Sequence, residues 1–488
     1  MTTTRIFGPP GTGKTTTLLG IVEKCLQDEI QPERIAYVSF STKAADEAVS
    51  RAKKRFGLGK DRFPFFRTLH SIGYRNIGIQ KGQMMEFRDY ETIAEKLGLG
   101  ITKYRSEEDA IYGTEMGDQC MALHNLARNK MITLKETHQQ AEERINIRYD
   151  IVEQWVATVD NYKKEKGMYD FPDMLEQFSG NLPVDIFIVD EAQDLSRLQW
   201  RMVEQASANA TRLYIAGDDD QCIFNFSGAA IENFLNHPID EDIVLPQSYR
   251  VPAAIGKLSE SIIRNIKVRK NKEWLPRDVP GKIFLNEPME SLPVEKGEWL
   301  ILTRNVKFLI DIEEMLQNKG LLFRRTRGRL RSIDPDDAAI IHNWQKLKKG
   351  ERISSLQATA LVRKIEPKAK RLLGDALTME KLPIADYLKK QEWYEVFSKG
   401  MKPEYVEYIR SCLRNGQKLN DTPRITVSTI HKVKGGECDN VAILPDMAYS
   451  TYQEINTDEE QRVWYVGVTR AKENLYLLEP LTDLFYRF

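Results

Sequence analysis

The stretch Gly8-Pro9-Pro10-Gly11-Thr12-Gly13-Lys14-Thr15 decides how the rest of this chain is read. It fits the pattern G-x-x-x-x-G-K-[ST], and its flanks give the pattern a physical meaning. Arg5-Ile6-Phe7 ahead of it is a short strand-like run, and Thr16 to Leu26 behind it is a helical run. A glycine-rich turn between strand and helix points backbone N–H groups and the positive end of the helix dipole at one spot, which suits phosphate oxygens. Gly11 and Gly13 let the backbone approach closely. Lys14 is expected to reach the terminal phosphates, and the Thr15 hydroxyl to ligate magnesium. The expected nucleotide contacts therefore run from Gly8 through Thr16. Alone, this motif says only that a nucleotide phosphate binds.

A second strand-like run, Ile186-Phe187-Ile188-Val189, leads into Asp190-Glu191-Ala192-Gln193-Asp194. By themselves two acids after a strand are equally a helix N-terminus. Beside a phosphate loop they read as a magnesium ligand, Asp190, and a base for the attacking water, Glu191. A third run, Leu213-Tyr214-Ile215-Ala216-Gly217, is followed by Asp218-Asp219-Asp220-Gln221-Cys222-Ile223-Phe224. The neutral amide of Gln221 suits sensing a γ-phosphate or positioning water. Alternation of strands and helices around these motifs predicts an α/β fold with parallel sheets.

DEAQD together with GDDDQ-x-I-F resembles motifs II and III of the UvrD/Rep branch of superfamily 1 DNA helicases. Further stretches resemble the remaining motifs in family order. They are Tyr37 to Ala45 (motif Ia), Thr68-Leu69-His70-Ser71 (Ib), Asp170 to Leu175 (a DFDDLL-type segment) and Gln247-Ser248-Tyr249-Arg250 (NYRS). Trp299 to Asn305 resembles the strand motif of the second motor domain, Thr426 to Asn440 motif V, and Tyr465 to Ala471 motif VI. The resemblance spans residues 8 to 472. It implies two RecA-like domains sandwiching one ATP with Mg2+.

On that resemblance the catalytic set is Lys14, Asp190, Glu191, Gln221, Arg250 and Arg470. Gln221 and Arg250 would meet the γ-phosphate, and Arg470 would act as an arginine finger from the second domain. Tyr249 would stack on the base and Glu437 would hold the ribose. Thr15 and Asp190 would hold the metal. Single-stranded and duplex DNA are the implied partners, contacted by Phe40, Lys43, Thr68, His70, Phe224, Phe226, His431 and Lys434. Stacking on aromatic rings suits a motor, because every base has a π-face. Taken one at a time, the phenylalanines also read as core residues and the histidines as structural ones. Three departures stand out: Phe226-Ser227 where the family has Trp-Arg, Val433-Lys434-Gly435-Gly436-Glu437-Cys438 where it has SKGLEF, and no glutamine among Met1 to Phe7. The last predicts nucleotide choice looser than the family's.

With 488 residues, 41% hydrophobic and 29% charged, the chain calls for two to four domains. The expected layout is 1–70 with 183–242 as motor domain 1A and 71–182 as a helical insertion, 1B. Residues 243–333 with 422–488 form motor domain 2A, and 334–421 a short helical insertion, 2B. Asp150 to Lys166 is expected to be one of the 1B helices. Five scattered cysteines without a CxxC pair predict reduced thiols. No apolar run approaches the roughly 20 residues of a membrane span, and the start of the chain leaves no room for a signal peptide. The expectation is a monomer in the bacterial cytoplasm, at the nucleoid or after phage infection, serving replication or repair. Formal net charge is zero. The basic runs Arg51 to Arg55, Lys267 to Lys272, Arg324 to Arg331 and Lys346 to Lys349 read as solvated faces. The expected function is an ATP-dependent 3′-to-5′ DNA helicase. A translocase that clears proteins from DNA with weak unwinding is the alternative, and an inactive binding module is disfavoured by the full catalytic set.

Overall fold

Continuous β-branched and aromatic runs become buried parallel strands, as expected where both sheet faces are covered. The computed structural model describes residues 1–39, 42–102, 115–142, 145–326, 331–365, 376–382, 391–397 and 401–488. The chain divides into two compact units. One comprises Met1–Lys282, Ala448–Lys472 and Phe488, the other Ile283–Met447 and Glu473–Arg487.

The first unit is built on β1 (Thr2–Phe7), β2 (Ile35–Ser39), β3 (Phe66–Thr68), β4 (Ile186–Asp190), β5 (Arg212–Gly217) and β6 (Glu241–Val244), in the order β3-β2-β4-β5-β1-β6. All pairings are parallel. The period of two divides each strand between two cores. Phe7, Val38, Phe187, Val189 and Ile215 pack with Leu198 and Val203 on one face. Ile6, Tyr37, Ile188 and Ala216 pack with Leu18 and Val22 on the other. The long stretch between β3 and β4 is helical, with α1 (Lys14–Gln27) and α2 (Thr42–Phe56) preceding it. It holds α3 (Leu69–Asn76), α4 (Phe87–Leu97), α5 (Met116–Lys130), α6 (Leu134–Ala141), α7 (Tyr149–Lys166) and α8 (Phe171–Glu176). Its own core includes Ile93, Leu123, Val152 and Trp155. The helix expected over Asp150 to Lys166 is α7. Beyond β6 the first unit continues through β7 (Gln247–Pro252) and β8 (Leu275–Arg277), a parallel pair.

The second unit has its own six-stranded sheet, β11-β14-β10-β15-β16-β9. The strands are β9 (Lys282–Glu287), β10 (Trp299–Thr303), β11 (Phe323–Arg325), β14 (Ile425–Thr429), β15 (Cys438–Leu444) and β16 (Ala471–Leu478). A separate two-stranded ribbon, β12 (Ile353–Ser354) with β13 (Ala376–Leu377), lies within helical chain between β11 and β14. All five cysteines are free thiols. Among the described residues no helix is long and apolar enough to cross a membrane.

Candidate functional site

Strand register brings the three motif loops of the first unit to one sheet end. Phe7 pairs with Gly217 across β1 and β5, and Val189 with Ile215 across β4 and β5. The phosphate loop, Asp190-Glu191 and Asp218 to Gln221 therefore leave neighbouring strands at their carboxyl ends, where ligands bind in open parallel sheets. Gly11 (φ +73) and Gly13 (φ +79) are in the left-handed region, which glycine adopts without steric cost. α1 begins at Lys14, which aims its unpaired N–H groups into the loop.

Lys14 Nζ lies 2.9 Å from Glu191 Oε1 and 3.7 Å from Asp190 Oδ1. Burial works against the ammonium, but the two carboxylates outweigh it and raise its pKa above the ordinary lysine value. Asp190 is buried and its pKa is raised by that burial, with Lys14 opposing. The Tyr37 hydroxyl donates to its Oδ2 at 2.7 Å, and the Glu191 N–H to its Oδ1 at 2.9 Å. Glu191 has φ 56, a left-handed conformation that costs a non-glycine residue energy and recurs at functional sites. Asp190 and the Thr15 hydroxyl at the start of α1 are hard oxygen donors, the kind magnesium takes.

Gln193 links the loops. Its Nε2 donates to Glu191 Oε2 at 2.7 Å, and its Oε1 accepts the Asp218 N–H at 3.0 Å. A Cβ at Gly217 would stand 2.4 Å from that Oε1, which accounts for glycine there. Gln221 Nε2 donates to Asp218 Oδ2 at 2.7 Å, and its Oε1 accepts from Arg470 Nη2 at 2.9 Å. Arg470 follows the helix Asp458–Val468 and is buried in the first unit, its Nε donating to Val466 O at 2.8 Å.

β7 lies against the phosphate loop. The Tyr249 N–H donates to Gly11 O at 2.8 Å and the Ser248 hydroxyl to Pro10 O at 2.7 Å. A Cβ at Gly11 would meet Arg250 Cβ at 2.3 Å. Tyr249 is 71% exposed, with its ring edge near Gly13. Loop, tyrosine and Arg250 thus stand together. Glu437, exposed ahead of β15, belongs to the second unit.

The candidate DNA contacts come from several elements of both units. Phe40 lies outside the described residues, as does the side chain of Lys43 in α2. Thr68 caps α3, its hydroxyl accepting the Ser71 N–H at 3.2 Å. The His70 ring meets Phe171 edge-on at 5.8 Å, and burial pushes its pKa down to about 4. Phe224 and Phe226 are half-buried rings 5.9 Å apart and T-shaped. His431 and Lys434 lie in the second unit after β14. Burial first, then Arg304, Lys434 and Lys432, hold the His431 imidazole neutral. Sequence reasoning gave no role to Tyr37, Gln193, Lys272 or Phe171. Phe171 is 63% exposed at the first turn of α8, an aromatic in a position that a core would not select.

A phosphate loop, an acid pair and a glutamine–arginine pair at the carboxyl ends of a parallel sheet define a P-loop nucleotide hydrolase with a second α/β unit. The profile of the UvrD/REP helicase N-terminal domain matches residues 1–241, and that of the UvrD-like helicase C-terminal domain residues 399–479. The chain belongs to the UvrD/Rep helicase family. It is similar to YjcD of Bacillus subtilis (strain 168), 22% identical over 97% of this chain and 76% of that protein. It is also similar to the ATP-dependent DNA helicase PcrA of Staphylococcus aureus (strain Mu50 / ATCC 700699), 25% identical over 65% of this chain and 45% of PcrA. The ATP-dependent DNA helicase Rep of Buchnera aphidicola subsp. Baizongia pistaciae is 23% identical over 53% of this chain and 40% of Rep. The chain thus spans less than half the length of these PcrA and Rep relatives.

Proposed function

We propose that this chain couples ATP hydrolysis to 3′-to-5′ movement along single-stranded DNA and unwinds duplex ahead of it. The observation that carries the reading is the meeting of Lys14, Glu191, Gln221 and Arg470 with Tyr249 and Arg250 around one phosphate loop. In this reading the loop and Lys14 bind the phosphates, and Thr15 and Asp190 hold Mg2+, which would screen phosphate charge. Glu191 orients and deprotonates the attacking water. Gln221, Arg250 and Arg470 stabilise charge that develops at the γ-phosphate. Tyr249 stacks on the base and Glu437 holds the ribose. Residues 1–70 with 183–242 and 243–333 with 422–488 serve as the motor halves, with 71–182 and 334–421 as helical insertions. Phe40, Phe224 and Phe226 stack bases, and Lys43, Thr68, His70, His431 and Lys434 contact the strand's backbone. Polarity rests on family resemblance alone.

Strand displacement on 3′-tailed and 5′-tailed duplexes tests this, with unwinding of the 3′-tailed substrate expected. Preferential opening of 5′-tailed duplex overturns the polarity. A second reading, a translocase that clears bound proteins without efficient unwinding, draws on Ser227, which stands where the family has arginine. Its hydroxyl donates to Phe224 O at 2.8 Å. DNA-stimulated ATPase and removal of streptavidin from biotinylated strands, without strand separation, would select it.

A further inference from the structure

Asp218, Asp219 and Asp220 follow β5, and all three carboxylates are 0–1% exposed. One oxygen of each lies within 4.8 Å of the others, a geometry that by itself suggests a cation cage. The cation is supplied by the chain. Lys272 Nζ lies 3.0 Å from Asp218 Oδ1 and 2.8 Å from Asp220 Oδ2, and also pairs with Asp219. Its side chain is 1% exposed. Arg269 forms a bidentate pair with Asp220, both bonds 2.8 Å. The Lys270 N–H donates to Asp219 Oδ2 at 2.7 Å. Arg462, on the helix that leads to Arg470, donates from Nε to the Asp219 carbonyl at 2.9 Å and from Nη2 to the Val268 carbonyl. The buried Tyr465 and the more distant Lys14 also feel this cluster. Burial opposes the Lys272 charge, but the three carboxylates outweigh it and raise its pKa above the ordinary lysine value.

We propose that Lys272 is a positioning residue for ATP hydrolysis, holding the Asp218 carboxylate in place as acceptor so that the Gln221 amide presents its oxygen to Arg470. The chain of contacts is continuous. Lys272 holds Asp218 Oδ1, Asp218 Oδ2 accepts from Gln221 Nε2, and Gln221 Oε1 accepts from Arg470 Nη2. Both ends of the amide are thereby assigned. Without Lys272, Asp218 Oδ1 loses the ammonium that holds it while Arg269 stays with Asp220, and three buried carboxylates repel one another. An Asp218 carboxylate that shifts away from its neighbours withdraws Oδ2 from the Gln221 amide, and the amide is then no longer held with its oxygen toward Arg470. The proposal rests on the reading of Gln221 and Arg470 as γ-phosphate contacts.

The test is steady-state ATPase at saturating single-stranded DNA, with nucleotide affinity measured separately by a fluorescent ATP analogue. Lys272→Met should lower kcat at least about tenfold with KM and affinity within about threefold, the pattern of a contact that matters in the transition state. Three acids and two cations leave the wild-type cluster at −1 and Lys272→Met at −2. Lys272→Met/Asp219→Asn returns to −1 and should regain at least about threefold of the lost kcat, using the same reasoning. Packing alone predicts no regain. Asp218→Asn leaves two acids with two cations, so its folding is not threatened by charge. It removes only the anionic acceptor, and should cost about tenfold in kcat. Should Lys272→Met not fold, Asp218→Asn decides. Wild-type kcat in either variant, or a loss confined to KM, overturns the proposal. Gln221→Ala separates the two levels. If it keeps wild-type kcat, the site reading fails. If it loses rate while the Lys272 and Asp218 variants do not, this proposal alone fails.

Discussion

At the residue scale, the chemistry turns on side chains whose neighbours fix their charge. Lys14 stays cationic between Glu191 and Asp190, and Glu191 holds a left-handed backbone. Glu191→Gln should therefore bind ATP normally yet hydrolyse it at least ~100-fold more slowly, the usual worth of a positioned base. Lys14→Ala should lose nucleotide binding itself. Equilibrium binding alongside turnover distinguishes the two, and wild-type turnover in either removes the assignment. Tyr249→Ala should raise KM for ATP at least about fivefold, since stacking on a base is worth roughly 1–3 kcal/mol, while Tyr249→Phe should not. These positions were readable because each motif is local: strand, turn and function lie within a few residues. Lys272 was not. The basic run Lys267 to Lys272 has the composition of a solvated face, and Lys267 is indeed exposed. The partners of Lys272 lie some fifty positions earlier (53 residues for Asp219), and no local spacing announces them.

At the scale of elements, a buried ionic cluster ties α5 and α7 to α8. Arg128 on α5 meets Asp170 and Asp173 at 2.7 Å each and Glu176 at 2.6 Å. Lys163 on α7 meets Asp170 at 2.9 Å and Asp173 at 3.0 Å. Burial works against the Asp170 charge, but Arg128 and Lys163 prevail and hold its carboxyl at about 2. The neighbouring Asn129 reaches the loop after β5, donating to Ser227 O at 3.2 Å. Removing one member strands the rest in low dielectric. Arg128→Ala should cost about 3–5 kcal/mol, read as a shift of the denaturant midpoint. His124, one turn earlier on α5, adds a pH dependence. Burial, aided by Arg128, depresses its pKa from 6.5 to about 4. Between those values the unfolded chain binds a proton that the folded chain does not. Stability is therefore full above pH 6.5 and falls as pH drops toward 4, by at most about 1.4 kcal/mol per unit for this one group. His124→Gln should flatten that part of the curve, and an unchanged slope would assign it elsewhere. The helical character of this region, and α7 in particular, was legible in the sequence. The cluster was not, since its members come from three elements and Asp170-Phe171-Pro172-Asp173 reads equally well as a simple helix cap, which it also is.

At the scale of the whole molecule, zero net charge means that no overall field draws the chain to DNA. Binding must come from local phosphate contacts and from rings, and these two sources respond differently to salt. Phosphate contacts release counterions, so the strength of single-stranded DNA stimulation should fall linearly on a log–log plot against salt. Stacking carries no such dependence. Phe226→Ala and Phe224→Ala should therefore weaken DNA stimulation of the ATPase without changing the salt slope and with basal hydrolysis intact. Lys434→Ala should reduce the slope by about one, as expected for the loss of one phosphate contact. The half-buried, edge-to-face pair Phe224–Phe226 makes the first outcome the informative one. The pair follows directly on Asp218 to Gln221 and precedes Gly228, beside which Asn129 is packed. A ring that stacks on a base from this loop lies within a few residues of Gln221, so its loss should uncouple hydrolysis from DNA instead of abolishing hydrolysis. If basal and stimulated rates fall together, the rings support the fold of the loop and the DNA path runs elsewhere.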